Sequence, residues 1–345
     1  FEVAPSSRLL RGCCTNLCRF IVSFFFSSTC RSMTVSEDIA PGVNPLLVQA
    51  LAAQGITKLT PVQEQCLPHL LSGSDCLAKA KTGTGKTVAF LLPTMHRLLA
   101  GAQRVPSLPG GVDPIRAIVL SSARELATQI VTQAEALGQF APELNIVSIL
   151  GGYSINPQRQ ILDPNCGLSS GGVYGGTVDV MIGTPGRIIE HMNSTDGFTA
   201  RLKGCEVLIL DEVDCLLDGG FQLDMAAIIK ELPSTRQSLC FSATVPAKLA
   251  NVLGIALKPD HVTVDCVGEV KNDSHANIEQ LVVVHPIQHS LLQLYQHIIR
   301  EVAARPLDYK ILCFLPTARQ TQFFTAVLGE MGLEVMEIHS RRNAK

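Results

Sequence analysis

The stretch Ala80-Lys81-Thr82-Gly83-Thr84-Gly85-Lys86-Thr87 has the composition of a phosphate-binding loop. Its glycines let backbone N–H groups turn toward an anion, and a helix opening at the end of the loop adds the positive end of its dipole. In such a loop Lys86 reaches the β- and γ-phosphates of a nucleotide and the Thr87 hydroxyl holds Mg2+. The general pattern has glycine where this chain has Ala80, so the loop is a variant. A second group is Val207-Leu208-Ile209-Leu210-Asp211-Glu212, an apolar run ending in two acids. Asp211 can hold the metal that Thr87 also touches, and Glu212 can polarise the water that attacks the γ-phosphate. Solvated acids at a strand tip are common in any α/β protein. The glycine loop upstream makes the catalytic reading the better one.

These groups need a frame to hold them. Asp75 to Ala80 suits a strand, and Val88 to Leu92 suits the helix after the loop. Further candidate strands are Arg116–Ser122, Asn145–Gly151, Val178–Thr184, Glu206–Glu212, Gln237–Thr244 and His261–Cys266, with helices such as Glu125–Gly138 and Leu223–Glu231 between most of them. Short buried runs separated by helices predict an α/β fold with a doubly wound parallel sheet. Residues 33–267 form this first domain. The polar stretch Gly268 to Ser274 opens a linker, assigned to 268–278. A second alternation fills 279–345, with strands expected at Leu281–His285, Lys310–Leu315 and Leu333–His339 and helices through Ile299 and Gly332. Three strands are few for a second sheet of that size, so a truncated second domain is expected. Leu162 to Thr177, rich in Gly, Ser and Asn, reads as a surface loop.

The 345 residues suit two domains, and the net charge of −2 excludes a broadly basic nucleic-acid coat, so any such site must be local. Twelve cysteines occur without a C-x-x-C pair. Those in apolar runs (Cys76, Cys205, Cys240, Cys313) read as reduced core thiols, which points to an intracellular compartment. Cys13, Cys14 and Cys18 lack nearby histidines and do not suggest zinc. No apolar stretch reaches the roughly 20 residues of a bilayer span, so no membrane partner is expected. The first 32 residues are rich in serine and carry Arg8, Arg11, Arg19 and Arg31 against Glu2. That suits a mitochondrial or plastid transit segment. The alternative is untranslated sequence before a start at Met33, with residence in the cytoplasm or nucleus.

The run Asp211-Glu212-Val213-Asp214, with Ser242-Ala243-Thr244, resembles the DEAD-box ATP-dependent RNA helicases. Other elements of that signature follow in order. Gly55 to Gln63 resembles the Q motif, Ser122-Ala123-Arg124-Glu125-Leu126-Ala127 motif Ia, Gly151-Gly152 the GG element and Thr184-Pro185-Gly186-Arg187 motif Ib. Pro233 to Gln237 leads into Phe241 with the family's cadence, and Ile311 to Thr317 looks like motif IV. The resemblance spans Val43 to Lys345 and implies two RecA-like domains, the second cut short. It implies Mg·ATP binding in the cleft between domains and closure on RNA that separates short duplexes locally. Thr60 and Gln63 would read the adenine, and Ala80 to Thr87 would hold the phosphates. Lys86, Asp211 and Glu212 would do the chemistry, with Thr87 and Asp211 on the metal. Arg124, Gly151, Gly152, Thr184, Pro185, Gly186 and Arg187 would grip the RNA backbone without sequence preference. Asp214, Ser242 and Thr244 would couple the domains, and a monomer with unknown protein partners is expected.

Several positions depart from that pattern. Val213 replaces an alanine at a packed strand end and should change little. Leu59 replaces a proline. Ala123 replaces a threonine, removing one hydroxyl from the RNA path. Asp38 and Ile39 stand where the family places an adenine-stacking aromatic. Motif V and the arginine-rich motif VI do not occur, and Arg341 and Arg342 do not substitute for them on spacing. This chain is therefore expected to bind nucleotide and to hydrolyse it poorly. The alternatives are a non-hydrolysing RNA-binding scaffold that kept the fold, and a P-loop ATPase that moves DNA or protein.

Overall fold

The computed structural model describes residues 39–101, 108, 113–162, 178–245, 249–267 and 281–339. The expectations for the first 32 residues, for Asp38, for most of the Leu162 to Thr177 loop, for the linker start and for Arg341 and Arg342 lie outside these residues. The chain divides into two compact units, Phe1–Lys271 and Asn272–Lys345.

The first unit holds seven strands: β1 (Cys76–Lys79), β2 (Ile115–Leu120), β3 (Ile146–Ile149), β4 (Val178–Gly183), β5 (Val207–Asp211), β6 (Gln237–Ser242) and β7 (Val262–Asp265). They form one sheet of order β3-β4-β2-β5-β6-β1-β7, and every pairing is parallel. Parallel neighbours need crossovers, and the crossovers lay helices on both faces. β2, β4, β5 and β6 are accordingly buried at every position. This is why they read in the sequence as continuous apolar runs rather than alternating ones. Successive side chains still go to opposite faces. On one face Ala117, Val119, Ile209 and Phe241 meet α1 (Pro45–Ala53), α2 (Pro61–Leu71), α3 (Lys86–Ala100) and α4 (Arg124–Gly138). On the other, Ile118, Leu120 and Leu210 meet α5 (Ile155–Leu162), α6 (Pro185–Ser194), α7 (Phe198–Leu202), α8 (Val213–Asp218), α9 (Gln222–Glu231) and α10 (Leu249–Ala256). Phe90 of α3 packs edge-on against Phe241 with ring centroids 5.3 Å apart.

A charged cluster locks the amino ends of the strands. Arg116 of β2 donates through Nη1 to Asp179 Oδ1 (3.0 Å) and to the Leu98 carbonyl (3.1 Å), and through Nε to Glu206 Oε1 (2.7 Å). Asp179 Oδ2 accepts from the Asn145 N–H (2.9 Å). One guanidinium thus joins the starts of β2, β4 and β5. Its side chain is 6% exposed, so the pairing is shielded from water.

The second unit differs from expectation. α11 (Ser290–Ala304), preceded by a 3-10 turn at Ile287–His289, and α12 (Ala318–Glu330) are present. Thr317 caps α12 by accepting from the Gln320 N–H (3.2 Å). The three runs expected as strands form no ladder and no other regular element. Their apolar side chains stay in water, among them Val284 at 93% and Phe314 at 88%. Cys313, expected in a core, is exposed for the same reason. A β-propensity favours an extended backbone, but a strand exists only where a neighbour completes its hydrogen bonds.

Replacing Arg116 by alanine should leave the Asp179 carboxylate without its cation and Glu206 with only the longer contact to Arg97 Nε (3.8 Å). A loss of about 3–5 kcal/mol in urea unfolding of the chain is expected, and a loss below about 1 kcal/mol would show that water already screens the cluster.

Candidate functional site

The order of the sheet decides which loops meet. β5, β6 and β1 are adjacent, and the registers Asp211↔Phe241 and Lys79↔Ser242 bring their carboxyl ends level. The loops leaving those ends are the glycine loop, the acidic tip and Ser242-Ala243-Thr244, so three expected site segments share one edge. Such an edge, at the carboxyl ends of an open parallel sheet, is where α/β folds bind ligands.

Within the loop, Gly83 and Gly85 take φ of +79° and +92°, where only glycine is comfortable. A Cβ on Gly85 would run into the Gln63 amide. Thr84 Oγ1 donates to the Lys81 carbonyl (2.7 Å) and tightens the turn. Thr82 and Gly83 are exposed at its tip, while Lys86 and Thr87 open α3. Ala80 is fully buried in the core and is not among the positive-φ residues. A methyl is therefore tolerated where the general pattern has glycine.

Two charged side chains at this edge each hold a buried atom without a hydrogen-bond partner. Lys86 Nζ and Asp211 Oδ1 are both buried and both unbonded. Burial pushes the Asp211 carboxyl up to about 6, against the pull of the Lys86 ammonium and with the push of the Glu212 charge. An unsatisfied buried cation and anion are costly, and a bound triphosphate with its metal would satisfy both. Among the described residues no cluster of three or more His, Cys, Asp or Glu could hold a metal by itself. Glu212 has φ +50°, the only positive φ of a non-glycine residue among those described. Strain of this kind persists where the surroundings over-determine it, and it gathers at functional sites.

Gln63 lies 4% exposed on α2, with Thr60 as the N-cap of that helix. Its Oε1 accepts from the Thr60 N–H and its Nε2 donates to the Gly85 carbonyl, each at 2.9 Å. The amide thus ties the start of α2 to the phosphate loop and keeps one donor hydrogen and one lone pair for another group. This tie had no signal in the sequence, because Gly85 is distant along the chain.

Behind the edge, Asp214 Oδ2 accepts from the Thr244 N–H (3.0 Å) and Thr244 Oγ1 (2.8 Å). Ser242 Oγ donates to the Thr244 carbonyl (2.6 Å) and accepts from the Asp214 N–H (3.4 Å). Burial raises the Asp214 carboxyl, but the bonds from Thr244 and Ser242 outweigh it and hold it below the usual range. Val213 is fully buried against the core, as its replacement of alanine at a packed position suggests.

The other half of the sheet, β3-β4-β2, carries a second set of loops. Arg124, Gly151, Gly152, Thr184, Gly186 and Arg187 line one groove of about 450 Å3. Pro185 is not in the lining; it is buried at the start of α6. Ala123 precedes α4 without a side-chain cap, so no cap occupies the first N–H groups of that helix. The Arg124 guanidinium lies over Gly152, whose φ of +82° and missing Cβ make the approach possible. Arg124 forms no ion pair among the described residues. Arg187, 7% exposed, donates through Nη2 to the Tyr153 carbonyl (2.7 Å) and pairs through Nε with Glu190 (3.2 Å), while Nη1 is buried and unbonded. Ser122, Ala123, Glu125, Glu190 and Phe221 complete the lining. Of these, Ser122, Ala123 and Glu125 lay in a motif legible from the sequence.

A buried histidine fixes this groove from behind. Gln158 Nε2 donates to the Leu150 carbonyl (2.9 Å), so its Oε1 accepts from His191 Nε2 (3.1 Å), and His191 Nδ1 accepts from the Thr195 hydroxyl (2.8 Å). α5 and α6 are thereby joined under Gly151 and Thr184. Burial, with Arg187 and Arg159 nearby, lowers the His191 pKa to about 4.

Residues 60–252 match the family model for the DEAD/DEAH box helicase. The chain is 38% identical over 300 residues to DEAD-box ATP-dependent RNA helicase 31 of Arabidopsis thaliana, covering 87% of this chain and 40% of the relative. It is 37% identical over 301 residues to DEAD-box ATP-dependent RNA helicase 26 of Oryza sativa subsp. japonica, covering 87% and 52%. The chain thus spans about half or less of the curated relatives it matches. Among solved structures it resembles Mss116p bound to ssRNA and AMP-PNP (TM-score 0.71, 25% identity, 84% of this chain and 56% of that one). It also resembles a DEAD box protein from the hyperthermophile Methanococcus jannaschii (TM-score 0.54, 26% identity, 88% and 72%).

His191 makes the stability of the first unit sensitive to acid. Above about pH 6.5 the imidazole is neutral in both states and its contribution is fully present. Between about 6.5 and about 4 the unfolded chain takes up a proton that the folded chain refuses, and stability falls. Denaturant titrations from pH 7 to pH 4 should therefore show the parent losing about 3 kcal/mol more than His191→Gln. Parallel curves would refute the assignment.

Proposed function

The chain belongs to the DEAD/DEAH box helicase family, and on that premise we propose that it is the ATP- and RNA-binding portion of an ATP-dependent RNA helicase that separates short duplexes locally. The observation that carries this reading is the pair of unbonded buried charges, Lys86 Nζ and Asp211 Oδ1, on neighbouring loops of one sheet edge. Lys86 would bind the β- and γ-phosphates beside the N–H groups of residues 82 to 87 and the start of α3. Thr87 and Asp211 would hold Mg2+, which when bound neutralises charge on the β- and γ-phosphates. Glu212 would orient the attacking water and accept its proton. Gln63 would meet the adenine edge with its remaining donor and acceptor, so that base recognition would reach the phosphate loop through Gly85. Asp214, Ser242 and Thr244 would relay the state of the acidic tip to the neighbouring loop.

The groove would hold the RNA backbone. The uncapped N–H groups at the start of α4, the Thr184 hydroxyl and the guanidinium groups of Arg124 and Arg187 are all donors suited to phosphate oxygens. Donors of this kind read no base edges, which supports binding without sequence preference. Support also comes from the ssRNA present in the complex of Mss116p.

The nucleotide site is tested by equilibrium binding of a fluorescent ATP analogue to the 345-residue chain with and without Mg2+. Lys86→Ala should weaken binding by about 10- to 150-fold, as expected for a charge-assisted contact of roughly 1.5–3 kcal/mol. Asp211→Asn should remove most of the Mg2+ dependence. Equal affinity in parent and both variants would overturn the reading.

The groove is tested with single-stranded RNA. Arg124→Ala should weaken adenine-rich and uracil-rich strands alike and reduce the slope of log K against log[salt] by about 0.7. An unchanged slope would remove Arg124 from the phosphate path.

A further inference from the structure

We propose that Tyr153 is a base-stacking platform that grips a nucleobase of the strand whose phosphates the neighbouring groove holds. The inference rests on the RNA-binding reading of that groove and adds to it the one contact that would act on bases rather than backbone.

Three observations meet at this residue. First, the ring is 67% exposed, in a chain with four tyrosines and no tryptophan. Among the described residues of the first unit it is the one aromatic left open to this extent. Phe90, Phe198 and Phe241 are built into the core, and Phe140 is half-buried. Phe221 reaches the groove but is half-buried, packs on the core below α8 and stands too close to Gly219 for a Cβ there, so it serves as wall. Second, Tyr153 directly follows Gly151 and Gly152, which line the groove. Third, its backbone is anchored at the groove. Its carbonyl accepts from Arg187 Nη2 at 2.7 Å, and that arginine is buried among α6 and its partners.

A single exposed apolar side chain is ordinary on a protein surface. This one is held at a fixed root beside a row of phosphate donors, on a backbone turned by Gly152 at φ +82°. A strand lying with its phosphates against Arg124 and the start of α4 turns its bases away from those donors and toward the rim. Tyrosine offers a flat face with only two rotatable angles to order, and every nucleobase has a π-face to lay on it. The predicted contact therefore favours single strands, whose bases are free to splay out, over duplexes.

The test compares the parent chain, Tyr153→Ala and Tyr153→Phe by fluorescence anisotropy, with Mg2+ and a non-hydrolysable ATP analogue present. Each binds an oligoribonucleotide and a strand of equal length carrying abasic sites. Tyr153→Ala should lose about 5- to 150-fold in affinity for the base-bearing strand. It should match the parent on the abasic strand and keep the parent's salt slope, because no phosphate contact is removed. Tyr153→Phe should restore binding, since the ring and not the hydroxyl acts. The proposal is overturned if Tyr153→Ala binds the base-bearing strand as tightly as the parent, or loses equally on both strands. If the parent binds neither strand, the groove reading falls and the platform with it. If the parent binds both and Tyr153→Ala equals it, the platform alone falls.

Discussion

Parallel pairing in register is the constraint on which the rest depends. Leu210 opposite Cys240 and Lys79 opposite Ser242 place the ends of β5, β6 and β1 on one line. A shift of any strand by one residue would move its core face into the opposite layer and draw its loop out of reach of the others. The helices on both faces, and the Arg116 cluster at the far end of β2, β4 and β5, hold that register. A phosphate loop and an acidic tip separated by many residues thus become neighbours through strand order alone.

The edge so formed is kept in an unfavourable state by the packing around it. Asp211 is buried with its charge opposed by desolvation, Lys86 Nζ is unbonded, and Glu212 sits at a backbone angle that L-residues avoid. On the proposed reading, a ligand that brings phosphate and metal to this place would offset the cost of the two buried charges. Preorganised charge in a site shielded from water acts more strongly than the same charge in solvent.

The sheet also keeps two jobs apart. Loops from β5, β6 and β1 gather the nucleotide-binding candidates, while loops from β3, β4 and β2 gather the groove. β2 and β5 are hydrogen-bonded neighbours, so the two sets meet along that seam. Asp214, bonded to Thr244 and Ser242, belongs to the first set. α8 begins beside it and α9 follows, reaching α6 at the groove, where Asp224 approaches Gly186. A continuous packed path therefore exists between the two sites within the first unit.

Much of this was legible in the chain. Buried runs at β2, β4, β5 and β6 announce themselves because both faces are covered, and glycines at positions 83 and 85 announce a turn that other residues resist. The residue types at 86, 87, 211 and 212 name a chemistry. Two things were not legible. Gln63 could be read as an amide for adenine but not as a tie to Gly85, since a hydrogen bond between distant segments leaves no periodic trace. The runs in the second unit promised strands, yet ladder bonds belong to pairs and not to single segments, so Val284 and Phe314 remain in water. Sequence determined which residues are extended, helical or able to bind phosphate, because those properties are local. Tertiary structure alone decided which loops share an edge, why Ala80 is tolerated, and that Tyr153 stands open beside Arg187, because these depend on which strands lie next to one another.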